Sequence, residues 1–287
     1  MLPRCLRYGL LRARFPAASD FITMGLGIEA RHERCGRWWA PHLKLSREFL
    51  AAAWSEGGGS LAVLGAGRLL DIPLEVAGGF DRVALFDADP GAVSAWRAAS
   101  RHCGRGFEER LGDLTGSLEA WTAALRRDVP TSAGLIDLLD TLHPLPAVNL
   151  TGFTAIASVN LLSQIPIYWR DRVHSWCADA GIEVDRGSPV EAALERSMGR
   201  LQRAHLAALA TSGAEVISLL TDGAFLYYTT AESGWQEDQA IFVPSLNLPG
   251  YTIHHADQWF WHIAPQGIEA AEYGSIHDVR AMTFRRT

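Results

Sequence analysis

The sequence predicts an α/β protein with a doubly wound, mostly parallel β-sheet and an N-terminal helical extension. Unalternating apolar runs at 61–64 and 83–86 are typical of strands that are buried on both faces. An apolar segment with helical spacing, 69–76, lies between them. Further along, an amphipathic helix over 190–211 leads through a glycine into another buried strand at 214–221. Strands that alternate with helices indicate βαβ units, and therefore parallel pairing.

The composition is that of an ordinary globular protein. The chain has 287 residues, of which 48% are hydrophobic and 20% are charged. This length suits one large α/β domain with a small appendage. No run of 18 apolar residues occurs, so we expect no membrane-spanning helix and no membrane partner.

Charge is unevenly distributed along the chain. Residues 1–50 hold nine basic and four acidic side chains, a net charge of +5, whereas the remainder carries −11. The acidic body disfavours a nucleic acid as the main partner. The first 19 residues are rich in Arg and lack acids, which fits either a disordered start or a mitochondrial presequence. Four widely separated cysteines indicate free thiols in a reducing compartment, and we expect the protein in the cytoplasm.

The first predicted strand ends in a glycine turn, Gly65-Ala66-Gly67, and the second ends in an acidic segment that begins with Asp87 and Ala88. A strand, a glycine turn, a helix, a strand and an acid form the unit that binds a nucleotide at a helix N-terminus. Its carboxylate, about 20 residues on, holds the ribose. The third glycine of the dinucleotide fingerprint is absent, because Leu70 stands there. A unit that binds another nucleotide, or none, is the alternative.

This stretch resembles motif I of the class I S-adenosylmethionine (SAM)-dependent methyltransferases. The resemblance implies that Gly65, Ala66 and Gly67 face the methionine end of SAM, and that Asp87, followed by Ala88, binds the ribose. In the same pattern an acid or amide after the third strand contacts adenine. Asp113, followed by Leu114, fits that position after the predicted strand 107–111. Asp113 is equally suited to cap the next helix, and the two roles are compatible.

The fourth strand, predicted over 153–158, resembles the corresponding family motif at its end. Ser158, Asn160 and Gln164 would then lie beside the reactive methyl group, because ligands sit beyond the carboxyl ends of parallel strands. The alternative is that one of these residues only caps the following helix. The sequence departs from the family at Thr154, where an Asp is common.

The family resemblance also implies the rest of the architecture. It predicts a methyltransferase-type Rossmann fold of seven strands, with an antiparallel last strand inserted between the fifth and sixth. The segments 258–263 and 278–285 fit that terminal pair. We therefore divide the chain into a helical extension over 1–56, expected to act as a lid, and a SAM-binding catalytic domain over 57–287.

The predicted lid carries a basic and aromatic cluster that includes His32, Trp38 and Trp39. We expect His32 to face substrate, although a solvated helix face is an equally good interpretation. His32, Cys35 and His42 match no closed zinc pattern, so no metal site is expected.

The predicted function is SAM-dependent methyl transfer to a hydroxyl, amine or carboxylate of a small-molecule or peptide acceptor. Candidate bases are His32, His143, His174 and His262. One alternative is an NAD-dependent Rossmann oxidoreductase, but the Tyr-x-x-x-Lys donor of such enzymes is excluded because Lys44 is the only lysine. The other alternative is a scaffold that binds a nucleotide without catalysis.

Overall fold

The structure is a computed structural model that describes residues 3–127, 131–145, 148–231 and 234–287. The described residues contain eight strands in one mixed sheet. In chain order they are β1 (Ser60–Leu64), β2 (Arg82–Asp87), β3 (Glu108–Leu111), β4 (Ala155–Val159), β5 (Val216–Tyr228), β6 (Trp235–Gln239), β7 (Tyr251–Ala264) and β8 (Gly274–Arg286).

The spatial order of the strands is β3-β2-β1-β4-β5-β8-β7, with β6 paired to β5 outside this path. Strands β1 to β5 pair in parallel. Strand β8 runs antiparallel to both of its neighbours, β5 and β7. The predicted doubly wound, mostly parallel sheet with an inserted antiparallel last strand is therefore confirmed.

The eighth strand is the main difference from the expected sheet. Residues 223–239 read as a polar stretch in the sequence, yet β5 continues to Tyr228 after a register shift between Asp222 and Ala224. Beyond that shift β5 pairs on its second side with β6, in antiparallel register. The side chains of β6 are mostly polar and exposed, so this strand contains no apolar run that would predict it from the sequence.

Eight α-helices accompany the sheet in the described residues. They are α1 (Arg4–Arg14), α2 (Ser19–Ala53), α3 (Leu74–Ala77), α4 (Val93–His102), α5 (Leu118–Leu125), α6 (Ser132–Thr141), α7 (Leu161–Ala180) and α8 (Pro189–Ala210). Helix α3 is only one turn long and begins after Pro73, so the helix predicted over 69–76 is mostly a loop. None of the helices is both long and apolar enough to cross a bilayer within the described part of the chain.

The N-terminal residues are ordered by ion pairs. Arg7 pairs with Glu29 and Arg4 with Glu33, which joins α1 to α2. The expectation of a disordered start is therefore wrong for residues 4–14. The contact between α1 and α2 could not be predicted from the sequence, because the acids involved lie more than 20 residues downstream on another helix.

The long helix α2 packs against the sheet. Trp39 and Leu50 share one buried cluster with Leu61 and Val63 of β1. The indole Nε1 of Trp39 also donates a 2.8 Å hydrogen bond to the carbonyl of Ile263 on β7. The C-terminal half of α2 thus belongs to the core, and its N-terminal half extends across the edge of the sheet where the parallel strands end.

Candidate functional site

A cavity of about 550 Å³ opens at the carboxyl ends of the parallel strands, beneath α2. This is the edge at which ligands bind in open α/β sheets, and the volume lies within the ~300–1,000 Å³ typical of small-molecule sites. The predicted site residues that line it are Gly65, Ala66, Gly67, Asp87, Ala88, Asp113, Leu114, Asn160 and Gln164.

The two glycines of the turn after β1 have different roles. Both have positive φ angles, 72° for Gly65 and 45° for Gly67. A Cβ on Gly65 would lie 2.5 Å from the carbonyl oxygen of Val159, so this glycine lets β1 and the end of β4 approach closely. A Cβ on Gly67 would meet no described atom closer than 3.9 Å. Gly67 therefore leaves open space at the cavity wall.

Asp87, at the end of β2, holds the turn in place. Its Oδ2 accepts a 2.7 Å hydrogen bond from the backbone N–H of Gly67, and its Oδ1 accepts a 2.8 Å bond from the N–H of Asp89. Burial raises the pKa of Asp87. A carboxylate oxygen can accept two hydrogen bonds, so Asp87 retains acceptor capacity toward the cavity.

Asp89 links this loop to α2. Its Oδ1 accepts a 2.7 Å bond from the N–H of Gly91, and Arg68 lies 3.4 Å from its Oδ2. Burial raises the pKa of Asp89 to about 6. On the facing helix, a Cβ at Gly25 would lie only 1.9 Å from Asp89 Oδ2. The glycine therefore permits α2 to lie directly on the loop, and Arg68 also lies 3.4 Å from Glu29 of α2.

Asp113 follows β3 and binds the loop that leads into α5. Its Oδ1 accepts hydrogen bonds from the backbone and hydroxyl of Thr115, and its Oδ2 accepts one from the N–H of Leu118. Asp113 is therefore not the N-cap residue of α5, which is Ser117, although it accepts the N–H of the first helical residue. Asp113 and Leu114 also line the cavity.

Asn160 connects β4 to α7 in a left-handed conformation, with φ of 53°, which is uncommon outside glycine. Its side chain makes no helix-capping bond. Its Oδ1 is buried and has no hydrogen-bond partner among the described residues. A strained residue with an unpaired polar atom at a cavity wall indicates a ligand-binding role. Gln164, one turn into α7, is exposed at the same cavity.

Two predicted residues are not among those that line the cavity. Ser158 is fully buried, and its Oγ lies 2.8 Å from Nε2 of His205 on α8. The residue alternation of β4 points Ser158 away from the cavity, so its assignment to SAM is corrected. His32 packs against Trp39 with ring centroids 5.3 Å apart, and Arg31 lines the cavity in its place.

The other candidate bases, His143, His174 and His262, are exposed and are not among the residues that line the cavity. Within the described residues, no group of three His, Cys, Asp or Glu side chains is arranged to hold a metal ion.

Sequence reasoning missed a histidine at the cavity. His277 on β8 lines it together with Asp222 on β5, and the Nδ1 of His277 lies 3.2 Å from Oδ1 of Asp222. Phe225 and Trp261 flank the histidine. Asp222 was visible in the sequence as the residue after a predicted strand. His277 gave no such signal, because its position depends on the pairing of β5 with β8.

Among known proteins, this chain is similar to solved structures but not to any protein-family model or curated sequence. A SAM-dependent methyltransferase from Clostridium acetobutylicum is 9% identical over 87% of this chain and 91% of its own, with a TM-score of 0.41. A putative RNA methyltransferase from Pyrococcus horikoshii is 13% identical over 85% and 83%, with a TM-score of 0.40.

A third solved structure, the magnesium protoporphyrin IX methyltransferase of Synechocystis with bound SAM, is 12% identical over 86% of this chain and 80% of its own, with a TM-score of 0.39. At these identities and TM-scores the likeness carries no inference about activity.

Proposed function

We propose that this chain is a SAM-dependent methyltransferase that acts on a hydroxyl, amine or carboxylate of a small-molecule or peptide acceptor. The observation that carries the proposal is the convergence of the Gly65–Gly67 turn, Asp87, Asp113 and Asn160 on one cavity at the carboxyl edge of the sheet. Each lies at or directly beyond the carboxyl end of a different parallel strand, and the strands are adjacent in the order β3-β2-β1-β4.

The residues present fit SAM. Asp87 would accept hydrogen bonds from the ribose hydroxyls, because its carboxylate lies at the cavity with spare acceptor capacity. The open space at Gly67 admits a ligand close to the backbone. Asn160 offers a buried amide oxygen that lacks a partner among the described residues. Asp113 and Leu114 would border the adenine at the end of β3.

The cofactor supplies an activated methyl group, so the protein has to orient the acceptor and exclude water. The apolar residues of the cavity wall serve the second task, since Trp39, Leu43 and Ile263 line it. We further propose that α1 and the first half of α2 form the lid. Phe21, Ile28 and Arg31 of α2 also line the cavity, in support of that role.

The two alternative functions have weaker support. A dinucleotide-binding oxidoreductase requires a glycine at position 70, where this chain has Leu. It also requires a lysine near a catalytic tyrosine, and the only lysine, Lys44, is not in such a motif. A scaffold that has lost its activity would show an occluded turn, whereas Gly67 borders open cavity.

Isothermal titration of the full chain with SAM, and separately with NAD, distinguishes the three. We expect saturable binding of SAM at one site and no binding of NAD. Binding of NAD alone would instead support the oxidoreductase, and binding of neither would exclude both enzymes and leave a scaffold for another nucleotide.

A further inference from the structure

A histidine–carboxylate pair lies where β5 and β8 reach the cavity, separated from the strand of the glycine turn by β4. Asp222 is only 2% exposed, and its Oδ2 accepts a 2.9 Å hydrogen bond from the hydroxyl of Ser163. Its other oxygen lies 3.2 Å from Nδ1 of His277. Both of these last two atoms are buried and have no aligned hydrogen bond among the described residues.

This arrangement suits a general base. A buried carboxylate beside Nδ1 favours the tautomer with a proton on that nitrogen, which leaves Nε2 free to accept a proton. Ser163 fixes the carboxylate from its other side. Catalytic contacts of this kind are often poorly aligned without ligand and tighten when substrate binds.

The side chains around His277 indicate the kind of acceptor that would fit beside it. Phe225 and Trp261 line the cavity on either side of His277, with ring centroids 4.6 Å and 5.3 Å from the imidazole. Trp261 is itself held by Trp39 in an edge contact at 4.9 Å and by His42 in a stack at 4.0 Å. Aromatic side chains on both sides of the histidine favour an aromatic ligand.

The chemistry favours a hydroxyl over a carboxylate as the acceptor. A carboxylate is already ionised at neutral pH and needs no base. A carboxylate would also lie close to the negative charge of Asp222. A phenolic hydroxyl is neutral, stays protonated below a pH of about 10, and becomes a far better nucleophile when it loses its proton.

The geometry points to His277 as the general base for a phenolic acceptor, with Asp222 as its positioning residue. This inference rests on the proposed methyl transfer and names its substrate class. In the step, the O–H bond of the phenol breaks, its electron pair stays on oxygen, and the proton binds Nε2 of His277. The resulting imidazolium is paired with Asp222 and later releases the proton to water.

The tautomer can be tested without cofactor or substrate. Histidine side chains labelled with ¹⁵N report which ring nitrogen carries the proton, and His277→Gln assigns the signal. We expect wild-type His277 at pH 8 to carry its proton on Nδ1, and Asp222→Asn to abolish that preference. A wild-type His277 protonated on Nε2 would overturn the inference.

The substrate class is tested with 4-nitrophenol, whose ionised form absorbs visible light, at a fixed pH below its own pKa. With excess wild-type protein and S-adenosylhomocysteine, we expect the phenolate absorbance to rise. His277→Gln should reduce that rise at least tenfold, whereas His262→Gln, a change on the exposed side of β7, should preserve it.

No rise with wild type, or an equal rise with His277→Gln, would overturn the assignment. Such a failure is distinguishable from failure of the proposed function, because SAM binding is measured separately. Bound SAM without a phenolate signal leaves a methyltransferase with another acceptor. Absence of SAM binding removes the methyl-transfer proposal itself.

Discussion

Replacement of Asp87 by Ala should damage both the glycine turn and ligand binding. The variant removes the acceptor of two backbone N–H groups, those of Gly67 and Asp89. A buried donor left unpaired costs about 1–3 kcal/mol, so we expect the free energy of unfolding to fall by roughly 2–6 kcal/mol. Loss of the charge-assisted bonds to the ribose, about 1.5–3 kcal/mol each, should lower SAM affinity at least tenfold.

Titration calorimetry and urea denaturation measure the two effects separately. A matched control is Asp81→Ala, because Asp81 also accepts a backbone hydrogen bond, from Gly59 at 3.0 Å, but at the opposite end of β2. The control should leave SAM affinity unchanged. If Asp87→Ala folds and binds SAM as tightly as the wild type, Asp87 does not hold the ribose and the assignment is wrong.

Three further predictions concern the lid contact and buried ionisable groups. Gly25→Ala should lower the free energy of unfolding by about 1–3 kcal/mol in urea denaturation, because the new Cβ would collide with Asp89. Gly27→Ala is the control, because no described atom lies within 4 Å of a Cβ there, and it should raise the free energy of unfolding by up to ~1 kcal/mol. The pKa of Asp89 is raised from 3.8 to about 6, so its carboxylate should cost up to about 3 kcal/mol of stability as pH rises from about 4 to 6. Asp89→Asn should remove that loss in denaturation measured across this range. Burial lowers the pKa of His205 from 6.5 to about 4, so this histidine should contribute a loss of up to about 3 kcal/mol as pH falls from about 6.5 to 4, opposite in sign to the contribution of Asp89. His205→Gln should abolish this loss, and a pH dependence identical to that of the wild type would contradict the assignment.

The residues of the site that were predicted from the sequence lie close to one another along the chain. The turn at 65–67 and Asp87 lie about one βαβ unit apart, and the strand, glycine and acid pattern places them together without knowledge of the rest of the fold. Asn160 was predicted from the family resemblance of the segment that follows the strand predicted over 153–158. What the sequence did not show is the left-handed conformation that keeps Asn160 from capping α7.

The parts that were missed depend on register and on distant pairing. Ser158 was misplaced because β4 continues to Val159, so that Ser158 lies within the strand and faces His205 on α8. The His277–Asp222 pair forms across the β5–β8 ladder, between residues 55 positions apart. The N-terminal helix α1 is likewise fixed by ion pairs to α2 that no local pattern reveals.

A crystal structure of the full chain with S-adenosylhomocysteine tests the central claim most directly. We predict the ribose hydroxyls within hydrogen-bond distance of Asp87, the amino-acid end against Gly67, and the sulfur directed toward the part of the cavity lined by Asn160 and His277. A ligand bound away from residues 65–67, or a ribose that does not contact Asp87, would contradict the account.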